Sequence, residues 1–466
     1  MSDSPNNATQ AKSENVDLYA KHVKIHPRKD HGLFNKLRNS AVFILLGIFY
    51  AFPWVNWNER QAVLWDLPNR KFYIFEMIIW PQDFFFLAAI MIIAALALFF
   101  FTTVAGRLWC GYACPQTVWA RALLWIEEIV EGNRNQRIKL DKASWSGEKI
   151  LRKGLKYALW TLFAIWTGFT FVGYFSPIRE LTPRFFAFEM GSAETFWIFF
   201  YALMIWLLGA VMREQVCIYM CPYARFQSVM YDSNTLLIAY DTQRGEPRTR
   251  GKPKQKSDQG DCVDCSLCVH VCPMGIDIRD GLQYQCTGCA LCIDACNNIM
   301  DKINRPRDLI RYTTENQLAG KHTSIARPRV FIYATLITAM LVAVGWGLAN
   351  RNPVALDIIR DRSTLFRDTG DGNIENVFRL RIMNKDDSAH VFQVEIQGLN
   401  DAIIDMDSAI PRVESGTIHD HIIRIKIDPG NLNGVRSTEF QIKLQASDDD
   451  ALSVSEDSVY LGPARF

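Results

Sequence analysis

Cys262-Val-Asp-Cys265-Ser-Leu-Cys268-Val-His-Val-Cys272-Pro273 is followed, thirteen residues after Pro273, by Cys286-Thr-Gly-Cys289-Ala-Leu-Cys292-Ile-Asp-Ala-Cys296. Both runs carry the spacing C-x2-C-x2-C-x3-C. Structural zinc takes paired cysteine knuckles, and a third cysteine two residues after each pair fits that pattern poorly. A disulfide framework belongs to small secreted domains, whereas this chain has 466 residues, 49% of them apolar. Eight thiols in this arrangement suit two [4Fe-4S] clusters, with the fourth cysteine of each run ligating the other cluster.

On that crossing rule, cluster one takes Cys262, Cys265, Cys268 and Cys296, and cluster two takes Cys286, Cys289, Cys292 and Cys272. The segment reads as a bacterial-type dicluster ferredoxin, so the chain moves electrons. One position departs from the pattern: Asn297 stands where the first run has Pro273.

Apolar runs flank this segment, at about 40–55, 84–104, 157–175, 194–212 and 330–348. Each approaches or reaches the ~20 residues a helix needs to cross a bilayer, so five spans are predicted. The first twenty residues are polar and lack the apolar core of a signal peptide, which leaves the first span as the anchor. Lys and Arg counts set the expected orientation. Ten occur from Arg107 to Lys156, but only Arg60, Arg70 and Lys71 from Asn56 to Asp83, and only Arg179 and Arg184 from Pro177 to Glu194. The cysteine-rich segment is therefore expected in the cytoplasm and the C-terminal region outside. All twelve cysteines then lie on or near the reducing side. The net charge of +2 gives no reason to expect a nucleic-acid partner.

The expected domains are a polar cytoplasmic tail (1–38), a four-span membrane domain (39–240), a flexible basic linker (241–261), the ferredoxin domain with its own linker (262–327), a fifth transmembrane helix (328–349) and an outer domain (350–466). In the outer domain the period changes to two. Phe378-Arg-Leu-Arg-Ile, Val391-Phe-Gln-Val-Glu-Ile, Ile423-Arg-Ile-Lys-Ile and Phe440-Gln-Ile-Lys-Leu alternate apolar and polar between glycine turns, as in an all-β sandwich. Asp368 to Glu375 superficially suggests a calcium loop, but Gly370 sits where that loop needs Asp or Asn. His419 and His421 alternate on one strand face and are expected as a solvent-facing pair.

Two membrane-proximal stretches repeat one another. Arg107-Leu-Trp-Cys110-Gly-Tyr-Ala-Cys114-Pro115 follows the second span, and Arg213-Glu-Gln-Val-Cys217-Ile-Tyr-Met-Cys221-Pro222 follows the fourth, with both cysteine pairs offset by 107 residues. Parallel repeats of two spans each place a site where the halves meet. Pro115 and Pro222 suit the first position of a following helix. Cys114 and Cys221 would then stand at helix starts, where backbone dipoles are expected to depress thiol pKa values. Four such thiols make a soft-metal or redox site. No His falls inside a span, which disfavours haem, and no nicotinamide fingerprint is present.

The membrane motifs Gly106 to Trp119 and Arg213 to Arg225, the two cysteine runs, and the stretch from Ile374-Glu-Asn376 to Asn384-Lys385 resemble the CcoG family, also called FixG or RdxA. The resemblance covers nearly the whole chain and implies a multidomain membrane protein: an α-helical membrane domain of five spans, an α+β dicluster ferredoxin insert and a C-terminal immunoglobulin-like sandwich. It implies a bacterial inner-membrane location and a role in assembling cbb3-type cytochrome c oxidase. The implied activity is cupric reduction, Cu(II) to Cu(I), with Cys110, Cys114, Cys217 and Cys221 as the catalytic and copper-binding residues. Implied partners are copper ions, copper chaperones or oxidase assembly factors and an unidentified cytoplasmic electron donor; a homo-oligomer is left open. Thiolates favour Cu(I) over Cu(II), which makes that role chemically sensible. The alternatives are quinol or quinone electron transfer, and a non-enzymatic assembly scaffold whose clusters are structural.

Overall fold

The computed structural model describes residues 24–463 except 58–59, 250–259, 362–363, 387, 433–435 and 450–451. Most of the expected polar tail, and the middle of the expected basic linker, lie outside the described residues. The chain divides into two compact units, Met1–Val55 with Ala94–Thr335, and Asn56–Ile93 with Leu336–Phe466.

Five helices are long and apolar enough to cross a bilayer: Leu33–Trp54, Phe84–Ala105, Gly147–Val172, Ser192–Met212 and Pro328–Ala349. They are the five spans that the apolar runs predict. The second and fifth bury only 6% and 0% of their apolar windows inside the protein, so lipid has to cover them. Spans three and four pack closely. At Gly168 an added Cβ would stand 2.3 Å from the Ile198 carbonyl oxygen, so a bare backbone lets the helices meet. Phe169, Val172, Ile178, Leu181 and Ile198 form the core there.

The helix Pro115–Glu131 starts at its proline, as its sequence predicts, and lies against span three. The Trp160 indole donates to the Leu123 carbonyl at 2.9 Å. Its buried face also carries Glu127 and Glu131, both fully shielded from solvent. Glu127 pairs with Arg137 at 3.4 Å and with Arg213, while Glu131 pairs with Lys153 at 2.9 Å and Lys156 at 2.7 Å. Charges this deep persist only when paired, and the Glu127 pair fixes the start of the second membrane motif at Arg213.

The ferredoxin domain begins upstream of the boundary expected at Cys262. Strand Leu237–Tyr240 pairs antiparallel with Ile310–Thr313. The segment expected as a flexible linker opens with a short helix, Thr242–Gly245. Its Arg244 side chain binds Asp261 at 2.6 Å and the Pro306 carbonyl, which is why the described part of that basic stretch folds into the domain. Helix Leu267–Val271 carries Cys268, and Leu291–Lys302 carries Cys292 and Cys296. The structure accounts for Asn297. Cys272 lies just past the end of its helix, where Pro273 is harmless, whereas Cys296 lies inside Leu291–Lys302, where proline would break the hydrogen-bond ladder. Asn297 also accepts from the Asp308 backbone N–H at 2.8 Å, which ties down the loop after the helix.

The second unit holds the β-sandwich. One sheet has Ile374–Asn384 at its centre, paired with Val354–Arg360 on one side and Ile418–Ile427 on the other; the second runs Phe392–Gln397, Ser437–Ala446, Ser453–Leu461. Phe378, Leu380, Ile382, Ile423, Ile425, Ile442, Leu444 and Tyr460 are completely buried between them. The buried Asn376 side chain donates to the Leu461 carbonyl at 2.8 Å, and Asn384 to those of Ser388 and Val413 at 2.7 and 3.0 Å. His419 and His421 do not form a solvent-facing pair. They share the strand face of Ile423 and Ile425, which turns inward; His421 is 7% exposed, and the Nε2 atom of each finds no hydrogen-bond partner among the described residues. Residues 56–83, read from the sequence only as an outer loop, contain a three-stranded sheet of Val63–Asp66, Lys71–Ile74 and Met77–Ile79. Asp83 anchors this segment to the sandwich unit by pairing with Arg351 and, at 3.3 Å, Lys385.

Candidate redox site

Each cysteine run wraps its thiols around a cavity. Cys262, Cys265, Cys268 and Cys296 line one, with Leu267, Ile299, Leu309 and Arg279. Cys272, Cys286, Cys289 and Cys292 line the other, which Cys268 also touches. The loops bend the same way in both runs. Asp264 and Ser266 in the first and Gly288 and Ala290 in the second all have positive φ, at 47°, 55°, 67° and 61°. Left-handed backbone at three residues that are not glycine is a repeated local cost, of about 1–2 kcal/mol each. Its recurrence at equivalent positions of two cysteine runs marks loops shaped around a bound group.

Burial pushes the thiols up, to about 11 in Cys268 and Cys286 and about 12 in Cys272 and Cys296, and Cys292 well above the ordinary value. Backbone N–H groups oppose the rise, those of Ile276 and Met274 at Cys272 and that of Gly288 at Cys286. Amides aimed at sulfur stabilise thiolates, and ligation itself releases the protons. Four sulfurs per cavity in an otherwise largely apolar wall fit the donor set of a [4Fe-4S] cluster.

The two membrane motifs share geometry as well as sequence. Gly106 and Arg213, at equivalent positions, turn each chain out of its span with φ of 54° and 44°. Cys114 and Cys221 are both extended and both precede a helix, Pro115–Glu131 and Pro222–Met230. Each closes a wide i→i−5 turn, Cys114 N–H to the Trp109 carbonyl and Cys221 N–H to that of Val216, both at 2.9 Å. Such wide turns recur at functional sites.

The repeats also exchange contacts. Gln116, the second residue of the first motif helix, donates to the Leu208 and Arg213 carbonyls at the end of span four, at 2.7 and 3.2 Å. Tyr223, its equivalent in the second, reaches Thr102 at 2.6 Å and the Leu98 carbonyl at 3.2 Å at the end of span two. The Cys110 thiol donates to Gln227 of the second motif helix at 3.4 Å, and Cys217 lines a cavity with Gln116 and Thr117 of the first. Cys110 and Cys217 thus each face the other repeat.

Depressed thiol pKa values are not what this packing produces. Burial raises Cys110 to about 11 and Cys217 to about 12, and the neighbouring membrane-motif thiols add to both shifts. Cys114 is also raised by burial, with the Thr117 and Gln116 N–H groups at the helix start offsetting only part of it. Desolvation outweighs the helix dipole here. Among the described residues no three Cys, His, Asp or Glu side chains stand close enough together to hold a metal ion.

The first motif also touches the ferredoxin domain. Gly111 lies against the backbone of the second cysteine run, where an added Cβ would stand 3.0 Å from the Cys289 Cα and from the Gly288 and Thr287 carbonyl oxygens. Arg107 donates to the Cys286 carbonyl at 3.3 Å and to that of Ala224 in the second motif helix, and Tyr112 donates to the Cys289 carbonyl at 3.4 Å. A third tether is Asp294, whose carboxylate caps the start of span one by accepting from the Phe34 and Asn35 N–H groups at 3.3 and 2.7 Å. The cysteine motifs were legible in sequence; Arg107, Gly111 and Asp294 gave no local signal.

Residues 212–315 match a family described as a 4Fe-4S dicluster domain, 87–127 one described as a 4Fe-4S binding domain, and 344–463 one described as an Ig-like fold at the C-terminal of FixG. Among characterised relatives, the nitrogen fixation protein FixG of Rhizobium meliloti is 36% identical over 82% of this chain and 80% of its own length. Protein RdxB of Cereibacter sphaeroides is 38% identical over 90% and 93%, and protein RdxA of the same organism 39% over 82% and 84%. Identity at this level along membrane domain, ferredoxin insert and sandwich alike makes the chain a member of the FixG/RdxA family.

Proposed function

We propose that this iron-sulfur oxidoreductase is a cupric reductase in which the ferredoxin domain faces the cytoplasm and the sandwich the periplasm. Cys262, Cys265, Cys268 and Cys296 hold one cluster and Cys272, Cys286, Cys289 and Cys292 the other. When bound, the clusters supply single electrons at the cytoplasmic side. The observation that carries the reading is the seating of Gly111, between Cys110 and Cys114, directly on the Thr287–Cys289 backbone. Arg107 holds that contact by bridging Cys286 and the second motif helix. One electron reduces one Cu(II) to Cu(I), and the four motif sulfurs favour the product because soft thiolates prefer Cu(I). Protons leave Cys110, Cys114 and Cys217 as copper binds. The copper would go to assembly of a cbb3-type oxidase.

The test reduces the purified protein anaerobically and follows reoxidation by Cu(II) and by a quinone in parallel. Cys→Ser at Cys110, Cys114, Cys217 or Cys221 is expected to slow copper reduction and leave about eight iron per chain in place. A quadruple variant with the normal copper rate would exclude the membrane cysteines. A second reading, that the four sulfurs hold a further iron-sulfur cluster, is favoured by the match of 87–127, which spans Cys110 and Cys114, to a 4Fe-4S binding domain. It calls for about twelve iron per chain, falling to about eight in the quadruple variant.

A further inference from the structure

We propose that the cavity walled by the N-terminal segment, the first motif helix and the ferredoxin domain binds an oxyanion of the phosphate class, free or as the headgroup of an anionic phospholipid. The cavity, about 80 Å³, is lined by Arg28, Lys29, Arg38, Arg121 and Arg213. Only two carboxylates, Asp30 and Glu214, share the wall. Asp30 is already engaged, accepting from the His31 N–H and the Asn298 amide at 2.9 and 3.1 Å. Arg213 is paired with Glu127.

Arg38 is the decisive residue. It is 5% exposed, its Nε is buried without a partner, and its guanidinium forms no hydrogen bond or ion pair with any described residue. Arg121 is 6% exposed; it meets Glu128 through Nη1 at 3.3 Å and likewise leaves Nε without a partner. A buried guanidinium left unpaired is strongly destabilising unless a counter-charge is supplied. Burial lowers Arg121 to about 10 even against Glu128, and the charge of Arg38 adds to the shift, so the two cations act on one another. The wall also includes Gln116 and Thr117 from the first turn of the 17-residue helix Pro115–Glu131, and helix starts favour anions.

Forked guanidinium donors match phosphate bidentately, and several cations in one cavity favour an oxyanion of more than one charge. Arg38 belongs to the second turn of span one, so a soluble phosphate and a lipid headgroup could both reach it. The occupant needs no redox chemistry of its own; Cys217 of the proposed copper site shares the wall, and the assignment rests on the cations around Arg38 rather than on that thiol.

The test uses the full-length protein, delipidated in neutral detergent at low salt, with thermal stability measured against inorganic phosphate and after reconstitution with phosphatidylglycerol or with phosphatidylcholine alone. The melting temperature should rise with phosphate, with phosphatidylglycerol or with both, but not with chloride at equal ionic strength or with phosphatidylcholine. A response to phosphate assigns a soluble oxyanion, and one to phosphatidylglycerol alone a lipid headgroup. Arg38→Met should raise the melting temperature of the ligand-free protein and abolish the ligand-dependent rise, while Arg38→Lys should keep a response at about tenfold weaker affinity. A wild-type protein indifferent to both ligands would overturn the proposal. So would an Arg38→Met variant with an undiminished response, or one less stable than wild type without ligand.

Discussion

Gly111→Ala and Gly111→Val test whether electrons leave the ferredoxin domain through the first membrane motif. Gly111 sits inside the short helix Leu108–Tyr112, where alanine would by itself add about 1 kcal/mol of helix stability. Against that, the new Cβ meets three backbone atoms at 3.0 Å, and backbone cannot swing aside as a side chain can. Overpacking of this kind costs about 1–3 kcal/mol, so alanine should be nearly neutral to fold stability and valine destabilising by about 2 kcal/mol. Restoring ordinary contact moves the Thr287–Cys289 loop by several tenths of an ångström for alanine and about 1 Å for valine. Electron transfer weakens with distance, so stopped-flow mixing of the reduced protein with Cu(II), read by iron-sulfur absorbance, should show reoxidation slowed severalfold in valine and less in alanine. Iron content should be unchanged in both. A valine variant with full iron and the wild-type rate would refute this route, and a rate loss matched by iron loss would assign Gly111 to cluster assembly instead.

Asp83→Asn leaves Arg351 and Lys385 without their shared carboxylate, which is 5% exposed, and should destabilise the sandwich unit by about 3–5 kcal/mol; hydrogen exchange over residues 63–79 and 354–384 would show the loosening, and unchanged protection would contradict it. Glu127 is an acid-sensitive group of the membrane domain: burial alone would raise its carboxyl, but Arg213, Lys24 and Lys156 hold it at about 2 against an ordinary 4.5. Because its folded pKa lies below the unfolded one, that stabilisation, about 3 kcal/mol, is complete above about pH 4.5 and fades as pH falls toward 2. In an acid titration followed by tryptophan fluorescence, Glu127→Gln should be less stable at neutral pH and lose part of the slope between pH 4.5 and 2, the rest coming from Asp141, which burial would raise but Lys153 and Lys24 hold low; an undiminished slope would contradict this.

What the sequence exposes and what it hides follow from the range of the interactions. Metal ligation needs fixed local spacing, so the eight ferredoxin cysteines announce themselves, and a bilayer demands long apolar runs, so all five spans do too. Phe378 to Ile382 and Phe440 to Leu444 alternate cleanly because each strand has one buried face. The strands from Val63 to Ile79 are only three or four residues long, too short for alternation to register. Leu237–Tyr240 was hidden for the same reason, and with it the start of the ferredoxin domain. The Cys114 thiol went the other way from the local reading because a helix start is visible in Cys-Pro, while the burial that outweighs it comes from distant segments. Arg38 and Gly111 are likewise ordinary residues until the ferredoxin domain, far along the chain, folds against them.

The duplication is symmetric in its cysteines and asymmetric in what surrounds them, and the asymmetry has a physical reading. Both motifs turn through positive φ, both close a wide turn onto the second cysteine, and each motif helix reaches into the other repeat through Gln116 or Tyr223. Such reciprocity holds two cysteine pairs in one place without singling out either. The ferredoxin backbone seats directly on the first of them, at Gly111. At the position between the cysteines the first motif has Gly111, in contact with cluster-loop backbone, and the second has Ile218, which keeps a full side chain. Where the chain leaves its span, the first motif uses glycine for the left-handed turn, while the second places Arg213 there despite the strain and pairs it with the buried Glu127. On the proposed electron route, the first motif is thin where a donor would approach, and the second is pinned by a buried charge pair. Electrons entering at Cys110 would meet a site whose other half is held still.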